Sequence, residues 1–107
     1  MVLVTCGNRR EAERIARAVV SERLAACVNL LEAPVRSIYR WKGKVEQARE
    51  FLLLIKTSRP RLPALREQIV QLHSYDVPEF IALPVVAGSP DYLTWLADCL
   101  EPKPPSK

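Results

Sequence analysis

One histidine and three cysteines are the side chains of this chain best suited to metal binding or covalent chemistry. They do not come in a catalytic arrangement. There is no G-x-S-x-G, H-E-x-x-H, Walker loop or G-x-G-x-x-G, and no nucleophile–base–acid set. The sequence reads as a non-enzyme. Its best polar constellation is Asn29, Lys56, His73, Tyr75 and Glu79, joined by Tyr39 and Trp41. Each has a plain alternative. Lys56 ends an apolar run and must find a carboxylate, a ligand or water, or reach past the end of a sheet. His73 closes a helical pattern, where a cation offsets the helix dipole. Tyr75 could be ordinary loop packing, and Glu79 a surface acid. For a metal, one imidazole and one carboxylate per chain are too few for a closed site. With a thiolate they would suit Cu(II) or Zn(II) once donors come across a subunit boundary. Cys6 and Cys27 fall near strand ends and could contribute, although both also read as buried structural thiols.

The elements that must hold these groups centre on residues 35–57. Val35, Ser37, Tyr39 and Trp41 alternate with Arg36, Ile38 and Arg40, the period-two pattern of a strand. Lys42-Gly43 is a turn signal, because glycine supplies the positive φ of a tight hairpin. A two-residue loop there pairs Trp41 with Lys44 and, without a bulge, sets Asn29 opposite Lys56. The return strand is mixed at Val45, Glu46 and Gln47 and continuously apolar from Phe51 to Ile55, so it is buried on both faces at one end only. Residues 44–57 would span roughly 45 Å at ~3.4 Å each, whereas a compact chain of this length is roughly 33 Å across. The hairpin therefore overhangs its own domain and carries Tyr39 and Trp41 with it. Open ribbon edges bearing large aromatics need a cover, and a second copy of this chain is the cover expected.

Around the hairpin the elements follow in order. Val2–Cys6 is an apolar strand broken by Gly7. Asn8 and Glu11 form a capping-box signal, and the helix they open lines up Ala12, Ile15, Ala16, Val19, Val20 and Leu24. Residues 26–31 make a second strand, interrupted at Glu32-Ala33-Pro34. A second helix begins near Ser58 and buries Leu62, Leu65, Ile69 and Leu72. Phe80–Val86 reads as the fourth strand, and Ser89-Pro90-Asp91 opens a last helix. The fold class is α+β: a ferredoxin-like βαββαβ antiparallel sheet with a long β-hairpin and a C-terminal helix. One domain covers residues 1–100, and the proline-rich 101–107 is a tail that reads as flexible.

At 107 residues with a net charge of +4, the arginines are scattered rather than clustered, so nothing argues for nucleic acid. Three cysteines without C-x-x-C spacing exclude a complete intrachain disulfide framework and the usual zinc sites. No apolar run approaches membrane-spanning length. The reading is a cytoplasmic soluble protein.

Five segments then occur in fixed order: Glu22-Arg23-Leu24-Ala25-Ala26-Cys27-Val28-Asn29, Ser37-Ile38-Tyr39-Arg40-Trp41-Lys42-Gly43, Lys56-Thr57, His73-Ser74-Tyr75-Asp76-Val77-Pro78-Glu79 and Asp91-Tyr92-Leu93-Thr94-Trp95-Leu96. Together they resemble the CutA family of divalent-cation tolerance proteins over nearly the whole chain. The resemblance implies a homotrimer similar in assembly to the PII signalling proteins, and a cytoplasmic role in tolerance or response to metal ions, copper above all. It implies a cleft shared between subunits. His73, Glu79 and Cys27 are then the expected ligands for Cu(II) or another divalent cation. Asn29, Tyr39, Trp41, Lys56 and Tyr75 line the cleft, and Tyr39, Trp41 and Phe51 stand at the oligomer interface. No organic cofactor, nucleic acid or membrane is implied. The alternative is a PII-like signalling or protein-interaction module without a direct metal role. Copper-binding members can carry a cysteine inside the first strand and two adjacent histidines before the Pro-Tyr or equivalent pair. This chain has Val4 and Leu72 at those places, with Cys6 displaced by two residues.

Overall fold

The structure is a computed structural model that describes residues 1–102. Of the tail expected over 101–107, residues 103–107 lie outside the described residues. The elements are β1 (Val2–Cys6), α1 (Arg9–Ser21), β2 (Cys27–Leu30), β3 (Val35–Trp41), β4 (Lys44–Lys56), a 3₁₀ turn (Arg59–Arg61), α2 (Leu62–Leu72), β5 (Ile81–Ala82) and α3 (Pro90–Cys99). The sheet runs β2-β4-β1-β5 with every pair antiparallel, and β3 pairs with β4 off that path. This is the ferredoxin-like order.

The apolar stripes explain the layering. Ile15 and Val19 of α1 and Leu65 and Ile69 of α2 pack with Val2, Val4, Leu53 and Ile55 into one fully buried cluster. Both helices therefore cover the same face of the sheet. On the opposite face Leu3, Leu52 and Leu54 are half-buried and stand outside that cluster. Helix α1 ends in a Schellman arrangement: Leu24 N–H donates to the Val19 carbonyl and Arg23 N–H to that of Val20, with Arg23 at φ 59°.

Strand β4 changes character along its length. Residues 51–56 lie between β1 and β2, whereas 44–50 pair with β3 alone. Positive φ at both Lys42 (50°) and Gly43 (79°) gives the tight turn that keeps this ribbon in register. The ribbon leaves the body as expected, and the molecule measures 52 × 34 × 24 Å.

Three expectations are corrected. Cys27, not Asn29, faces Lys56, and Asn29 faces Leu54. Between Leu30↔Leu53 and Val35↔Glu50 the β2–β3 side spends two more residues than β4, an insertion at Glu32-Ala33-Pro34 that shifts the register and preserves the faces. The fourth strand is only Ile81–Ala82, because β1 offers partners to no more of the segment than that. Ser58 makes no side-chain cap and precedes the 3₁₀ turn rather than α2 itself. Helix α3 forms where expected; none of its residues is buried, and Leu100, just past its end, is.

Candidate functional site

Polar groups converge at the base of the ribbon, where β4 passes from the core into the open. The carbonyls of Met1 and Thr5 share one edge of β1, and Met1 accepts from Leu83 on that side. By Thr5 the β5 strand has ended. His73, at the end of α2, takes over: its Nε2 lies 2.7 Å from the Thr5 carbonyl oxygen. Its Nδ1 accepts from the Tyr75 backbone N–H at 3.1 Å, which fixes Nε2 as the protonated nitrogen. The ring is buried and stacks obliquely on Tyr75 at a centroid distance of 4.7 Å.

Glu11 meets the same loop from below. Asn8 caps α1 by accepting from Glu11 N–H at 2.8 Å. The Glu11 carboxylate does not reach back to complete a capping box; it accepts from both the backbone N–H and the hydroxyl of Ser74. Tyr75 then crosses to β4, its hydroxyl donating to Glu50 at 2.9 Å. Gly7 makes the crossing possible, since a Cβ there would lie 3.0 Å from the Tyr75 oxygen.

The charges are mutually dependent. Burial, then the hydrogen bond to Glu50, pushes the Tyr75 phenol up to about 12, and the neighbouring Tyr39 adds to the shift. Burial, with the Glu11 and Glu50 charges behind it, pushes the Cys6 thiol up to about 12 as well. That makes Cys6 a poor nucleophile and a poor ligand at neutral pH. Glu79 is raised above the ordinary carboxylate range by burial first and by Glu50 second. Among the described residues no buried side-chain nitrogen or oxygen lacks a hydrogen-bond partner.

Of the residues expected to form one site, His73 and Tyr75 meet here, and Glu79 and Tyr39 lie near enough for Glu50 to act on Glu79 and Tyr39 on Tyr75. Cys27, Asn29 and Lys56 do neither. Thr5 faces Leu52 while Cys27 faces Lys56, a displacement of about 14 Å along β4. Trp41 stands at the far tip of the ribbon beside the turn, and Phe51, expected at an interface, packs on the chain's own core. His73, Glu79 and Cys27 thus do not fit a metal within one chain. Both imidazole nitrogens are committed, and no group of three His, Cys, Asp or Glu side chains able to hold an ion occurs among the described residues. Glu50 and Glu11 are the members that sequence reasoning missed. The only hint of Glu50 is its place as the last charge before the apolar run Phe51–Ile55.

Comparison with known proteins agrees with this architecture. The family profile described as CutA1 divalent ion tolerance protein matches residues 1–99. The chain belongs to the CutA1 family. Among its relatives, Protein CutA of Mus musculus is 52% identical over 98 residues, covering 92% of this chain and 55% of that protein. The divalent-cation tolerance protein CutA of Thermus thermophilus is 47% identical over 98 residues, covering 92% and 94%. The chain thus spans about half of the mouse CutA and nearly all of the bacterial one. A solved structure described as the periplasmic divalent cation tolerance protein CutA of Archaeoglobus fulgidus superposes with a TM-score of 0.90 at 35% identity, covering 94% of this chain and 96% of that one. CutA1 is named as a tolerance family, not as an enzyme family. No helix among the described residues is long and apolar enough to cross a membrane.

Proposed function

We propose that this member of the CutA1 family acts in divalent-cation tolerance without catalysis, as a homotrimer holding a copper ion or a small ligand in clefts between subunits. The observation that carries the reading is the ribbon. It extends beyond the body with Ile38 68% and Val45 66% exposed and with Tyr39 and Trp41 also open. One edge of residues 44–50 has no partner strand among the described residues, and Val85 and Val86, past the Leu83–Met1 pair, present further apolar surface. Such edges and side chains favour a second copy as cover. On this reading the chain's own contribution to the cleft is Tyr39, Tyr75, Glu50 and Glu79. Cys27 and Asn29 would join only from a neighbouring subunit, and Lys56 stands at the far end of β4. A metal-binding role for His73 would require it to give up its bonds to Thr5 or Tyr75, so the carboxylates are the better donors. Three free cysteines favour a reducing compartment, the cytoplasm.

Native mass spectrometry with and without Cu(II) tests both halves. The expected result is a trimer that takes up copper, loses that uptake in Glu79→Gln, and dissociates more readily in Trp41→Ala at low micromolar concentration. A monomeric wild type overturns the assembly. A trimer that takes up no copper overturns direct ion binding.

A further inference from the structure

The opposite end of β4 holds a cavity of about 670 Å³ between α3, the 3₁₀ turn and the stretch after β5. Its size lies within the ~300–1,000 Å³ range of small-molecule sites. Leu93, Leu96 and Leu100 supply an apolar wall, and Lys56, Ser58 and Arg61 stand on the same lining. Two of these polar residues are uncommitted, and the third keeps one nitrogen free. Lys56 has no ion-pair or hydrogen-bond partner for its ammonium among the described residues. Ser58 makes no side-chain cap. Arg61 uses Nε and Nη2 on the Leu100 carbonyl, closing the end of α3 and leaving Nη1. Neighbouring Thr57 differs, since its hydroxyl donates to the Leu24 carbonyl at 2.7 Å. Glu101 is the one acidic residue on the lining, against Lys56 and Arg61, so the lining carries a surplus of positive charge.

We infer that this cavity binds a small amphipathic anion, such as a carboxylate on an aliphatic or aromatic body. The head group would accept from Lys56, Ser58 and Arg61 while the body lies against the α3 leucines. Charged hydrogen bonds and apolar burial then act at opposite ends of one ligand. The site lies within one chain and does not rest on the trimer or on metal binding.

Paired dyes test the inference: anionic 8-anilinonaphthalene-1-sulfonate and neutral N-phenyl-1-naphthylamine, which share one ring body. The expected result is saturable binding of one sulfonate per chain, displaced by octanoate and weakened about tenfold or more by Lys56→Gln. The neutral dye should bind Lys56→Gln and wild type alike. Leu96→Glu should abolish binding of both dyes. Backbone amide shifts should fall on Ser58, Leu93 and their neighbours. Equal sulfonate affinity in wild type and Lys56→Gln overturns the proposal, as do unsaturable binding and shifts confined to the ribbon. Should Lys56→Gln fail to fold, Ser58→Ala and octanoate competition on the wild type decide the same question. If Leu96→Glu instead changes the oligomeric state while wild type ignores both dyes, the cavity is an interface and the proposal fails.

Discussion

The two ends of β4 face the same problem, polar groups beside an apolar core, and solve it differently. At the Glu50 end a network closes on itself: His73 is answered by Thr5 and Tyr75, Glu11 by Ser74, Glu50 by Tyr75. At the Lys56 end the wall is leucine and the ammonium stands alone among the described residues. A satisfied network in low dielectric stiffens a fold and is costly to interrupt. An unanswered cation at a cavity adds little to folding and leaves its hydrogen bonds available to a ligand. The first end locks α1, α2 and β4 together, and the second is free to bind.

The contrast is broken most directly at His73. In His73→Ala the Thr5 carbonyl loses its donor and the Tyr75 N–H its acceptor, and a buried ring leaves a void. Each unmet buried group costs about 1–3 kcal/mol, so the total loss is about 3 kcal/mol or more once the cavity is included. Urea unfolding at fixed chain concentration measures it, the concentration being held because assembly adds to apparent stability. A loss below about 1 kcal/mol would mean that the network is solvated and not a lock.

Tyr75 sharpens the comparison at a smaller scale. Tyr75→Phe removes one hydrogen bond to a charged acceptor, worth about 1.5–3 kcal/mol at most and less at a half-exposed site. The pH dependence has a definite sign. Unfolded tyrosine ionises near ~10, whereas Tyr75 in the fold is pushed up to about 12. Between those values the folded chain holds the extra proton. The stability this group contributes is therefore complete below the unfolded value and is lost as pH rises toward the folded one. Absorbance at the phenolate band should show one tyrosine titrating late, and Tyr75→Phe should remove that step. Cys6, also pushed up to about 12, shifts in the same direction.

Much of this was legible in the chain, and what was not has physical causes. A two-residue loop fixes parity, so the pairs from Trp41↔Lys44 to Val35↔Glu50 follow from Lys42-Gly43 alone. The register beyond Pro34 does not follow, because the inserted length there depends on how β2 must lie against the buried half of β4. A strand was expected over Phe80–Val86 from composition, yet a strand is a pairing, and among the described residues β1 pairs with Ile81–Ala82, Met1 adds Leu83, and Pro84–Val86 run past the start of β1. Glu11 shows a long-range partner overriding a local one: its spacing from Asn8 spelled a capping box, but Ser74, far along the chain, holds the carboxylate. His73, Tyr75 and Glu79 were recognisable as a group. That Lys56 belonged to another end of the molecule was not, since its place depends on the fold of α3 and the 3₁₀ turn around it.

The smallest expected effect is the one that gives the comparison its meaning. Lys56→Gln keeps most of the side chain's length and removes only a charge with no partner among the described residues. Its cost to folding should stay within about 0.5 kcal/mol, the range of substitutions that break no named interaction. If the loss matched that of His73→Ala, the ammonium would be holding structure, and the two ends of β4 would be alike. If stability is unchanged while affinity for an amphipathic anion falls, the same substitution separates binding from folding at one residue. That separation is harder to make at the other end, where His73, Glu11, Glu50 and Tyr75 are already part of what keeps the helices on the sheet.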